Sequence, residues 1–174
     1  MITLALFAAF VGTAMADVEI YNGDTTGGST YNRPLGGTPP TSLSGVGTAV
    51  RYEVVPMYTN FNASVIFETI DPTAFDTFIS LYGPGGFDPA NPLANAISAD
   101  DDAGVGVLSL ITSNINGGTQ YYVVVTGFGN TDFGTYTLSL SSTSADITIG
   151  LIPAPGALAV LGLGGLVATR RRRA

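Results

Sequence analysis

Gly134-Thr135-Tyr136-Thr137-Leu138-Ser139-Leu140-Ser141 is the stretch that decides the fold class. Tyr136, Leu138 and Leu140 alternate with Thr137, Ser139 and Ser141. Successive side chains of an extended chain point to opposite faces, so the pattern predicts a strand with one buried and one wet face. Asn130-Thr131-Asp132 supplies the turn before it. Upstream, Gln120-Tyr121-Tyr122-Val123-Val124-Val125-Thr126 is nearly continuous in apolar and aromatic side chains. That composition predicts a central strand covered on both faces. Asn116-Gly117-Gly118 marks the turn leading into it. Residues 50–55, 64–70, 77–82 and 107–112 read as four more strands, the third closed by Gly83-Pro84-Gly85-Gly86. Residues 25–47 are rich in Gly, Thr, Ser and Pro; they form either a linker or a segment partly docked through Tyr31, Arg33-Pro34 and Leu35. No helical period of useful length interrupts the strands, and no fixed-period repeat is present. The expected fold is all-β: an antiparallel β-sandwich or jelly roll over residues 17–150, with Tyr136, Leu138 and Leu140 inward.

Composition narrows the chemistry. The 174-residue chain has 23 glycines and no cysteine, histidine or lysine. Disulfides, thiolate ligands, a Cys nucleophile, the commonest zinc ligand and the usual general base are thereby excluded. Four of the six arginines are Arg170, Arg171, Arg172 and Arg173. Residues 17–150 carry only Arg33 and Arg51 against all 13 carboxylates, a net charge near −11. Such a surface repels nucleic acid and attracts divalent cations.

The two ends read as targeting elements. Residues 2–11 form an apolar run, followed by Ala14-Met15-Ala16 before Asp17. Small residues at Ala14 and Ala16 form the pattern that signal peptidase reads, so residues 1–16 are expected to be a signal peptide. No Lys or Arg precedes the run, so either the true start lies upstream of Met1 or the amino terminus alone supplies the charge; a buried first strand is the competing reading. At the other end, Ile152-Pro153-Ala154-Pro155-Gly156 leads into apolar residues 157–168 and then the arginines. The apolar stretch is shorter than the ~20 residues a bilayer core asks for, though membrane helices tolerate its glycines and Arg side chains can snorkel. The expectation is a single hydrophobic helix stalled at a cytoplasmic arginine cluster, with the domain outside; the alternative is a solvated basic tail after a core helix.

Pro153, Ala154, Pro155 and Gly156, the short Gly/Ala/Leu run and the Arg170–Arg173 cluster together resemble the PEP-CTERM sorting signal of bacteria, over residues 152–174. Ala154 stands where the usual motif has Glu. The resemblance implies processing near the prolines by an exosortase, a membrane-embedded protease for which this chain is substrate, with the inner membrane holding the protein beforehand. A second resemblance covers residues 75–141: Phe75-Asp76-Thr77-Phe78-Ile79-Ser80-Leu81-Tyr82, Asn91-Pro92-Leu93-Ala94, Asp100-Asp101-Asp102, Ser109, Gly118-Thr119-Gln120-Tyr121-Tyr122 and Gly134-Thr135-Tyr136-Thr137-Leu138. Their order is similar to the bacterial pre-peptidase C-terminal domain. That resemblance implies a β-sandwich accessory module, some relatives of which bind calcium and some collagen or polysaccharide.

Asp100-Asp101-Asp102 is the densest charge cluster. Adjacent carboxylates repel unless a cation or water relieves them, and calcium takes oxygen ligands of this kind. The spacing lacks the later Glu of an EF-hand loop, so a solvated acidic loop competes. Asp76 precedes the same loop in the family pattern and is the expected remote partner; a buried, hydrogen-bonded Asp76 is the alternative. Glu53 and Glu68 are expected on neighbouring strands, facing solvent rather than converging as a glycosidase pair. Tyr121, Tyr122 and Tyr136 fill the core or form a sugar-stacking platform. The expected function is that of an exported, non-enzymatic surface or extracellular-matrix protein. The alternative is a binding module for polysaccharide or protein, assisted by calcium.

Overall fold

The computed structural model describes residues 16–153. Ten strands follow one another: β1 (Asp17–Asp24), β2 (Thr30–Tyr31), β3 (Val50–Thr59), β4 (Ala63–Ile70), β5 (Thr77–Tyr82), β6 (Ala96–Asp100), β7 (Leu110–Ile115), β8 (Tyr121–Gly127), β9 (Thr135–Ser142) and β10 (Ile147–Ile149). The described residues contain no helix long and apolar enough to cross a membrane. The signal peptide expected over residues 1–16 and the helix expected over 157–168 fall outside the described residues, apart from Ala16.

The strands form two antiparallel sheets. One has the order β1-β9-β4-β7; the other runs β10-β3-β8-β5-β6, with β2 also pairing with β3. The core between them draws Val65, Phe67, Ile111, Ile115, Tyr136, Leu138 and Leu140 from the first sheet and Val55, Met57, Ile79, Leu81, Tyr121, Val123 and Val125 from the second. Two sheets sharing one apolar layer make a β-sandwich. The alternation over residues 135–141 has the predicted consequence: Tyr136, Leu138 and Leu140 are all buried. The predicted central strand is β8, hydrogen-bonded on both sides, to β3 and β5. Its second face is covered too. Val124 joins Tyr31, Val50 and Tyr82 in another buried cluster, against which Tyr52, Phe87 and Tyr122 pack.

That second cluster settles residues 25–47. They are docked, with Tyr31 and Arg33 buried against the outer face of the larger sheet. Edge-to-face ring contacts between Tyr31, Tyr52 and Phe87, at centroid separations of 5.0–5.1 Å, close the layer. Such pairs contribute beyond their buried area.

Two strands depart most from their expected bounds. β3 continues through Pro56 to Thr59. Pro56 lies opposite Tyr122 on β8, and its carbonyl accepts from Gly150 N at 2.8 Å just past the end of β10. The missing N–H therefore falls where that side of the ladder is ending, a position proline tolerates. The strand expected at 107–112 begins at Leu110. Val107 and Leu108 belong to a loop, where their carbonyls accept from Thr77 N and Gly104 N. Ser109 ends that loop in a buried hydroxyl network: its N–H donates to Thr69 Oγ1 and Thr77 Oγ1, and its hydroxyl to the Thr77 carbonyl. β1, β2, β6 and β10 come from stretches in which no strand was expected.

Candidate functional site

The register of β5 against β6 pairs Ile79 with Asp100. Extending it by two residues carries Asp101 and Asp102 back toward Asp76, just before β5. Asp76, Asp101 and Asp102 each present a carboxylate oxygen, and these lie within 4.8 Å of one another. In two of these residues one carboxylate oxygen, Asp76 Oδ1 and Asp101 Oδ1, is buried and accepts no hydrogen bond from the protein. Buried polar atoms are nearly always paired, so two orphans in one cluster are unusual.

Asp100, expected to be a fourth member, does not join them. Its Oδ2 accepts from Ala103 N at 3.0 Å and from Leu110 N at 2.9 Å. It sits at the end of a strand whose side chains alternate in direction, so it points away from its neighbour Asp101 and braces the loop.

The electrostatics follow from burial. Loss of water pushes the Asp101 carboxyl up to about 6; Asp102 adds to the rise, and the Arg33 guanidinium opposes it. Asp76 is likewise raised by burial, then by Asp102 and Asp132, and lowered by Arg33. Arg33 was not foreseen as part of this site. It is 1% exposed, with its guanidinium carbon 3.9 Å from the Phe78 ring centroid and 4.8 Å from that of Phe128. Nε donates to the Phe128 carbonyl at 2.9 Å and Nη1 to the Pro34 carbonyl at 3.1 Å. Burial lowers its pKa, while Asp101 and Asp76 act to raise it. The clue in the sequence was scarcity: Arg33 is one of two cations in residues 17–150.

The donor set fits calcium. Ligand distances of about 2.3–2.6 Å put opposite oxygens about 5 Å apart, so one ion can span carboxylates spaced as these are. Three aspartates fill part of a shell of six to eight oxygens, leaving the rest to backbone carbonyls and water. Arg33 reduces the negative charge offered but does not cancel it.

The other candidates disperse. Glu53 lies on β3 and Glu68 on β4, in different sheets rather than on neighbouring strands. Glu53 lines an open groove of about 560 Å³ with Asn22, Asp24, Pro72, Thr135 and Thr137. Its oxygens accept from Tyr21 OH at 2.6 Å, Tyr136 OH at 2.9 Å and Asp24 N at 3.1 Å. Asp24, the second carboxylate there, is held below the usual range by hydrogen bonds from the Thr26 side chain and backbone. The three tyrosines form no platform: Tyr121 and Tyr136 face the inter-sheet core, and Tyr122 packs on the opposite side of β8.

Of the residues assigned to sorting, Ala16 and Pro153 are described, and both are exposed; Ala14, Ala154, Pro155, Gly156 and Arg170–Arg173 lie outside the described residues. No protein-family model matches the chain, and no curated protein matches it.

Proposed function

We propose that this chain is an exported, non-enzymatic surface domain, delivered by an N-terminal signal peptide and sorted through a C-terminal element of the PEP-CTERM kind. The observation that carries the reading is a coincidence of boundaries. The first strand begins at Asp17, the residue directly after Ala14-Met15-Ala16. At the other end, β10 finishes at Ile149 and the Ile152 N–H still bonds to the domain, directly before Pro153. Among the described residues, the core of the sandwich is built from strands lying between these two boundaries. On this reading signal peptidase and an exosortase-type protease are the processing partners. The inner membrane holds the protein beforehand, and the cell surface or extracellular matrix is its destination.

The test is to express the full chain in a bacterium with and without the processing protease and determine both ends of the exported product by mass. A mature N-terminus at Asp17 and a protease-dependent loss of the arginine cluster are the expected results. An exported product with Met1 and Ala174 intact would refute the reading, as would unchanged sorting after replacing Arg170–Arg173 by Ser.

A second reading, resting on the unpartnered oxygens of Asp76 and Asp101, makes the domain a calcium-assisted binding module for polysaccharide or protein. Asp76, Asp101 and Asp102 would hold the ion, which would neutralise their mutual repulsion and stiffen the loop over residues 101–108. Calorimetric titration of the exported domain with calcium tests this. Binding lost in Asp101→Asn is expected; no heat at millimolar calcium would end the idea.

A further inference from the structure

Among the described residues, the last hydrogen bonds between the sandwich and the chain leaving it converge on one side chain. Gln120, at the entrance to β8, donates through Nε2 to the carbonyls of Met57 at 2.9 Å, Tyr121 at 3.2 Å and Gly150 at 3.2 Å. Its Oε1 accepts from the Ile152 N–H at 2.8 Å. Two amide hydrogens are thus shared among three carbonyls, and the oxygen holds a fourth partner, so the amide's capacity is largely used. Upstream of this clamp the chain is bound as part of the sheet: β10 pairs with the end of β3, and Gly150 N donates to the Pro56 carbonyl at 2.8 Å. Gly150 has φ +139°, which a residue with a Cβ rarely adopts, and this bend brings residues 150–152 over Gln120.

The side chains beyond the bend have no comparable hold. Leu151 is 67% exposed and Ile152 38%. Hydrogen bonds to its main chain, two of them with the Gln120 side chain, rather than apolar burial, keep this segment on the domain. A protease must draw an extended stretch of substrate into its cleft, so bonds inside a tethered segment are cut only from a locally opened state. Pro153, the first residue of the sorting motif, lies one residue past the clamp.

We propose that Gln120 is a positioning residue for C-terminal processing: its side chain closes the fold at Ile152 and so denies a protease the peptide bonds upstream of Pro153. The proposal rests on the sorting reading for its biological meaning but not for its physical content. Gln120 specifies the upstream limit of cleavage by denying the bonds of residues 149–152. Neither proline nor the arginine cluster can impose that limit, because they act on recognition downstream.

The test uses the full chain in detergent and thermolysin, which cuts on the amino side of Leu and so addresses Gly150–Leu151; Pro153 protects the bond before Ile152 from this enzyme. The two variants are Gln120→Ala and Gln120→Glu; the second keeps an acceptor for Ile152 N but loses every donor. Gln120→Ala loses both hydrogen bonds to residues 150–152, which raises the open population about 10-fold or more, and cleavage at Gly150–Leu151 should rise accordingly; Gln120→Glu loses only the bond to the Gly150 carbonyl and should give a smaller rise. Cleavage inside the sandwich, read in the same mass spectra, should stay unchanged. Equal rates at Gly150–Leu151 in wild type and Gln120→Ala would overturn the proposal. Should the variants unfold, amide exchange on the wild-type chain decides instead: the Ile152 N–H must be protected, and exchange at the unstructured rate would overturn the clamp. In cells carrying the processing protease, the wild-type product should end at or beyond Pro153, and the Gln120→Ala product should include ends upstream of it. An unchanged terminus would refute the positioning role. Absence of any wild-type processing would instead remove the sorting reading, with the thermolysin result still deciding the clamp.

Discussion

Arg33→Met isolates the charge at the heart of the docked segment, because methionine retains much of the volume and none of the donors. Arg33 is 1% exposed. In its place the Phe128 and Pro34 carbonyls lose charge-assisted partners now held at 2.9 and 3.1 Å. Each such bond contributes about 1.5–3 kcal/mol. The stacks on Phe78 and Phe128 are lost as well, each about 0.5–2 kcal/mol. Against this stands the desolvation that lowers the guanidinium's own pKa, which the methionine avoids and which can offset half or more of the gain. The expected net loss is about 2–4 kcal/mol, or a fall in Tm on the order of 10 °C for a domain of this size. Urea titration followed by tyrosine fluorescence measures it; the chain has eight tyrosines and no tryptophan. The variant should also respond more strongly to calcium, since Asp76 and Asp101 would have lost their internal counter-charge. A variant as stable as the wild type would refute the reasoning: residues 25–47 would then be held by their aromatic contacts alone, with the buried cation a net cost.

Asp101 gives the domain a pH dependence of definite sign. Its folded pKa, about 6, lies above the ordinary aspartate value of 3.8, so the folded state holds this proton more tightly. The associated stability is present at low pH and is lost as pH rises from about 4 through 6. In EDTA, Asp101→Asn should therefore flatten the Tm profile between pH 4 and 6.5 and raise Tm at pH 7; parallel profiles would contradict the assignment. Millimolar calcium should raise the wild-type Tm at pH 7 and leave that of Asp101→Asn nearly unmoved, as differential scanning calorimetry can establish. Leu138→Ala removes a fully buried side chain between Tyr21 and Thr69 on the paired strands. It should cost about 2–5 kcal/mol by denaturant titration, and a cost under about 1 kcal/mol would place Leu138 outside the core.

The amino-acid sequence by itself determined the class of fold and the orientation of β9, because a period of two is a local property of an extended chain. It also excluded thiolate, imidazole and disulfide chemistry, since absent residue types need no structure to interpret. The orientation of β1 was decided elsewhere. Its Val18 and Ile20 alternate as cleanly as Leu138 and Leu140, yet they are 61% and 47% exposed. Pairing with β9 turns Tyr21 toward Glu53 and leaves the aliphatic side chains on the outer face. The acidic cluster was legible as composition but not as geometry. Four aspartates were candidates, and the β5–β6 register together with strand alternation chose Asp76, Asp101 and Asp102 while sending Asp100 to brace the loop. Arg33 and Gln120 were out of reach for the same reason. Arg33 bonds across 95 positions to Phe128, and Gln120 across 63 to Met57 and 30 to Gly150. Contacts of that span belong to no local pattern. They exist because two sheets whose connections cross repeatedly between them bring distant segments to the same edge, and only the packed structure states which edge that is.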